Sequence, residues 1–129
     1  MESALDITSQ FVVLDQHKSA SVENNDAELY PRLQSNYGDF NGHELISCHD
    51  FTTSWDTWEK HPHGDEIVIL LSGEATFLLQ LESGVKQINL KTSGEYVLVP
   101  KDTWHSANIS TPARLLFITP GEGTENKDR

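Results

Sequence analysis

From Glu44 onward the chain is a succession of short β-branched and apolar runs, each stopped by a turn that carries glycine or proline. Glu66-Ile67-Val68-Ile69-Leu70-Leu71 ends at Ser72-Gly73, and Ala75 to Leu81 ends at Ser83-Gly84. Val85 to Leu90 ends at Thr92-Ser93-Gly94, and Tyr96 to Val99 is closed by Pro100. His105 to Ile109 and Arg114 to Ile118 follow. Strands recurring every ~8–12 residues between such turns predict an all-β sandwich or barrel. Helical periodicity is nearly absent. Asn25 to Gln34 is the one helix candidate, and Pro31 limits it to a turn or two.

The first forty residues are less regular. Phe11-Val12-Val13-Leu14 reads as an early strand and Ala20-Ser21-Val22-Glu23 as a weaker one. The expected organisation is one domain: residues 1–40 as an arm with edge strands, 41–119 as the barrel core, and 120–129 as a mobile tail without core-forming side chains. At 129 residues such a domain buries enough surface for a core of its own.

Charge narrows the partners. Twenty acidic against nine basic residues leave a net charge of −11, which repels nucleic-acid phosphates and anionic lipid. No nucleic acid and no membrane are therefore expected as partners. No run of ~18 apolar residues occurs and the first ten residues lack a signal-peptide pattern, so the expected location is cytoplasmic. Cys48 is the single cysteine; on a strand-like run it reads as a buried structural thiol.

Chemistry is concentrated in two places. Trp58-Glu59-Lys60-His61-Pro62-His63-Gly64-Asp65-Glu66 precedes one apolar strand, and Pro100-Lys101-Asp102-Thr103-Trp104-His105 opens another. His61 and His63 are two apart, so on extended chain their rings face one side. Gly64-Asp65 permits a turn that brings Glu66 back, and pairing of the two strands would add His105. Three imidazoles and a carboxylate suit a divalent Fe, Mn, Ni or Zn ion. Candidate pocket residues are His49, Trp58, Trp104 and Arg114. For Arg114 and Arg32 an exposed ion pair is the simpler expectation.

These motifs resemble those of the cupin superfamily. Its first motif reads glycine, five residues, His-x-His, three or four residues, Glu, six residues, glycine; His61-x-His63, Glu66 and Gly73 are similar to it. Its second reads glycine, five residues, proline, one, glycine, two, histidine, three, asparagine; Gly94, Pro100 and His105 fall in register. Trp55 and Asp102 stand at glycine positions, Asn108 falls one place early, and only two residues separate His63 from Glu66. Counted back from Glu66 at the shorter spacing, the histidine places fall on Lys60 and Pro62. Either the turn is tighter and keeps every ligand, or one histidine points away.

The resemblance covers residues of about 44 to 118. It implies a cupin-type jelly-roll, one divalent metal held inside the barrel by His61, His63, Glu66 and His105, a small-molecule ligand or substrate, and a homodimer. The activity it implies is a metal-dependent enzyme, dioxygenase-like or an isomerase or lyase. The alternative is a non-catalytic small-ligand-binding module with a degenerate or empty metal site.

Overall fold

The computed structural model describes residues 3–129. Its strands are β1 (Gln10–Leu14), β2 (Ala20–Asn24), β3 (Glu44–Phe51), β4 (Thr57–Lys60), β5 (Glu66–Leu81), β6 (Gly84–Leu90), β7 (Tyr96–Val99), β8 (His105–Thr119) and β9 (Glu125–Asp128). The single α-helix, α1, spans Leu29–Asn36, and a 3₁₀ turn follows at Gly38–Phe40. Pro31 sits in the first turn of α1, where its missing N–H would have had no partner in any case. No helix among the described residues is long and apolar enough to cross a membrane.

Two long strands organise the sheet. β5 pairs antiparallel with β6, β7 and β8, while β8 also pairs with β3 and touches β4. The sequence signals for Glu66 to Leu71 and Ala75 to Leu81 are therefore halves of one strand, bent where its register against β8 slips between Leu70 and Thr76. Gly73 makes that bend possible. Its φ is +79°, and a Cβ there would lie 1.9 Å from the Pro112 carbonyl oxygen of β8. No other residue fits so close an approach.

Alternation along the strands fills the interior. Val68, Leu70, Phe77, Leu79, Val97, Val99, Leu115 and Phe117 form one apolar core between the faces of the sheet. A second cluster joins Phe11 and Val13 of β1, Leu45 of β3, Leu29 and Leu33 of α1, and Phe40. Leu29 and Leu33 are four apart and lie on the buried face of α1. Burying each contributes about 2 kcal/mol, so this packing rather than helix propensity holds the short α1 in place. Cys48 is buried in β3, and burial pushes its thiol pKa up.

The stretch 120–129, expected as a mobile tail, contains a further strand. Glu125–Asp128 pairs with Thr57–Lys60 from Thr57↔Asp128 to Lys60↔Glu125, so β9 is an added edge strand. Its four side chains are exposed, and for that reason they carry no apolar signal. Backbone pairing and Arg129 hold it: the guanidinium donates to the carbonyls of Trp55 at 2.9 Å and Ala107 at 3.2 Å, and to Asn108.

Candidate metal centre

Three strand ends deliver the site. Glu59 on β4 lies directly across from His105, the first residue of β8, and His105 is also opposite Leu79 of β5. Glu66 opens β5 opposite Val99 of β7. His61 follows β4, where its carbonyl accepts the Asp102 N–H at 2.9 Å. Asp102 has φ +61°, in the left-handed region that an aspartate tolerates, so it keeps the turn a glycine would make there.

The rings of His61 and His105 are 5.2 Å apart, and Glu66 lies between them. Glu66 Oε1 is 3.1 Å from His105 Nε2, and Oε2 is 3.3 Å from His61 Nε2. Glu59 Oε2 is 3.9 Å from His105 Nε2. Donor atoms of Glu59, His61 and His105 lie within 4.8 Å of one another, a spacing that could hold a metal ion. His61, Glu66 and His105 are 5%, 2% and 0% exposed.

The backs of both imidazoles are already engaged. Thr124 Oγ1 donates its hydrogen to the Gly121 carbonyl at 2.9 Å, so it can only accept from His61 Nδ1, also at 2.9 Å. His105 Nδ1 faces the Thr103 carbonyl at 3.1 Å and must donate. In the neutral rings this assigns both hydrogens to Nδ1 and leaves both Nε2 lone pairs directed at the carboxylate. Thr119 Oγ1 fixes Glu66 by donating to Oε2 at 2.6 Å. Among the described residues, His61 Nε2, His105 Nε2 and Glu66 Oε1 are buried without a hydrogen-bond partner of regular geometry.

Acceptors face acceptors at this point, and only a cation relieves that arrangement. A proton serves in part. Burial lowers the His105 pKa, but the adjoining Glu66 carboxylate outweighs it and the net shift is upward. For Glu66, burial raises the pKa, yet the two imidazoles bring it down to about 2. Glu59 shifts upward, by burial first and by the Glu66 charge second. A divalent ion serves more completely, because two imidazole nitrogens and two carboxylates are the ligand types that first-row metals take.

His63 is outside this group. Its side chain is 55% exposed and its Nε2 lies 3.7 Å from Glu122, on the outside of the turn. The structure brings Glu59 and His61, rather than His61 and His63, to this group, in the register with four residues between His61 and Glu66. Gly64 permits the turn, for a Cβ there would meet Pro120 at 2.9 Å. Glu59 was legible from the motif only by counting the longer spacing and accepting an acid in a histidine place. In that register Trp55 is not a replaced glycine.

A cavity of about 940 Å³ adjoins the centre and includes Glu59, His61 and Glu66 in its wall. His49 of β3 lines it, as expected, in edge contact with Phe11 and Phe117. The other pocket candidates do not line it. Trp58 lies beneath the Arg129 guanidinium, and Trp104 is flanked by Lys60 at 4.8 Å and Lys127 at 4.4 Å. Arg114 is in a two-point ion pair with Asp50 at 2.7 and 3.1 Å, and Arg32 pairs with Glu23 and Asp26. Trp55, absent from the expected pocket list, is part of the wall.

No protein-family model matches the sequence, and no curated protein does. Solved structures do. The Bacillus subtilis oxalate decarboxylase, whose Mn(II) centres have been studied, is 16% identical with a TM-score of 0.52, over 67% of this chain and 23% of that one. Hydroquinone 1,2-dioxygenase from a Sphingomonas species, solved with 4-hydroxybenzoate, is 20% identical with a TM-score of 0.51, over 59% of this chain and 58% of that one. This is a cupin fold. A cupin-2 domain protein from Shewanella frigidimarina is 16% identical over 67% of this chain and 71% of that one, at a TM-score of 0.49. The chain spans less than two thirds of the dioxygenase and of the decarboxylase, so the likeness speaks for the jelly roll and not for either activity.

Proposed function

We propose that this cupin is a metal-dependent enzyme acting on a small molecule, with one divalent ion held by Glu59, His61, Glu66 and His105. The observation that carries the reading is the set of buried, unpartnered atoms His61 Nε2, His105 Nε2 and Glu66 Oε1, turned toward one another beside a cavity. Leaving such groups unpaired costs about 1–3 kcal/mol each, which a bound cation removes. When bound, a divalent ion supplies a Lewis-acidic charge that polarises a substrate oxygen.

The chain's own residues do the positioning. Thr124 and the Thr103 carbonyl hold the two imidazoles in the tautomer that presents Nε2. Thr119 orients Glu66, and the apolar core behind His105 excludes water from that side. Glu59 is the most solvent-accessible of the four, at 33%, and lines the cavity together with His61 and Glu66. The ion itself is Fe, Mn, Ni or Zn, since all four accept this donor set.

Elemental analysis of protein purified without chelator tests the proposal. About one equivalent of a divalent metal is expected, and its loss in His105→Ala. Metal-free protein whose melting temperature does not move on adding Mn²⁺, Fe²⁺, Ni²⁺ or Zn²⁺ would instead leave the non-catalytic binding module. The homodimer expected from sequence is part of the same proposal. Support comes from β7, which pairs only with β5 and exposes Tyr96 and Leu98 at 58% and 56%.

A further inference from the structure

The wall of the cavity is unusual in its charge. Its titratable side chains include the acids Asp39, Asp56, Glu59 and Glu66, while no lysine or arginine among the described residues lines it. Three of the chain's cations are committed to other acids: Arg114 to Asp50, Arg32 to Glu23 and Asp26, Lys60 to Asp102 and Glu125. His49 is no substitute, because burial holds its imidazole below the ordinary histidine range and hence neutral at pH 7. With a divalent ion in place, Glu59 and Glu66 are offset, and Asp39 and Asp56 remain as the wall's net charge.

Aromatic rings form one part of the rest of the wall. Tyr30, Phe40, Phe51, Trp55 and Phe117 surround a volume at the upper end of those that enclose drug-sized ligands. Trp55 rests against Phe51, Phe77 and Phe117, with ring centres 5.7–6.2 Å away. Its indole Nε1–H is buried and has no acceptor.

We infer that the cavity selects an uncharged or cationic aromatic compound, and that it rejects carboxylates and phosphates. The inference rests on the metal-centre reading only for the site's use in catalysis. The selection itself is a property of the wall. An anion entering would lose hydration and meet two acids without a compensating cation. A flat ring would stack among Phe51, Trp55 and Phe117.

Three probes share one ring and differ in the charge of the side arm: tyrosol is neutral, tyramine cationic and 4-hydroxyphenylacetate anionic. Calorimetric titration of each into metal-free and zinc-loaded protein reads the selection without any assay of activity. Tyrosol and tyramine are expected to bind at least about tenfold more tightly than 4-hydroxyphenylacetate in both forms. Trp55→Ala removes one of the stacking rings and is expected to weaken tyrosol about threefold to tenfold. Equal or tighter binding of the carboxylate in the metal-free form, or binding of none of the three, overturns the inference. A carboxylate preference that arises only with zinc also overturns it, yet leaves the metal centre standing. The expected selectivity in a protein that takes up no ion would sink the metal-centre reading alone. If Trp55→Ala does not fold, the wild-type comparison still decides.

Discussion

Glu59→Ala and His63→Ala separate the two ways of aligning this chain with its motif. Apparent binding free energies of four-ligand zinc sites run about 10–16 kcal/mol, or roughly 3 kcal/mol per ligand. Glu59 is one-third exposed, so water replaces part of what its removal takes away, and about 2–3 kcal/mol is the reasonable loss. That is a roughly 30- to 150-fold weaker dissociation constant. His63 is more than half exposed and its Nε2 faces Glu122 across 3.7 Å, so His63→Ala is expected to change metal affinity by less than about twofold. Competition against a fluorescent zinc chelator measures both, with circular dichroism confirming that each variant folds. A loss in His63→Ala equal to or above that in Glu59→Ala would refute the register assigned here.

Three further expectations concern the scaffold. Thr124→Val removes the acceptor that fixes the His61 tautomer and should weaken metal binding roughly 10- to 100-fold with little change in melting temperature, by the same chelator competition. Gly73→Ala places a methyl 1.9 Å from the Pro112 oxygen at positive φ and should cost roughly 3 kcal/mol in urea unfolding; a loss below about 1 kcal/mol would contradict the close approach of β5 and β8. Tyr37→Phe removes the 2.6 Å hydrogen bond to Glu23, whose carboxyl that bond, with Arg32, holds below the usual range. Because the folded pKa is the lower one, the stabilisation is present above pH ~4.5 and fades as pH falls below it. The variant should be about 1 kcal/mol less stable at pH 7 and show a shallower acid-side loss in denaturation curves.

The strands from Glu44 onward were legible because alternation and glycine turns are local signals, and so were His61, Glu66 and His105 as residues brought together at one end of the barrel. What escaped was set by tertiary geometry. Glu59 looks like a solvated acid between Trp58 and Lys60 until β4 places it across from His105. His63 has the right spacing on an extended chain, but the turn through Gly64 begins before it and turns the ring outward. β9 carries four exposed polar or charged residues, and only the open edge of β4 makes it a strand. Trp58 and Trp104 were expected at the pocket because they flank the motifs, yet cation–π contacts place them under Arg129 and between two lysines.

Anomalous diffraction from crystals of the manganese-loaded protein, recorded near the metal edge, tests the central claim directly. A single strong peak is expected about 2.0–2.3 Å from both His61 Nε2 and His105 Nε2, with Glu59 and Glu66 oxygens completing the contacts. A peak beside His63 and Glu122, or none inside the barrel at full manganese loading, would contradict it.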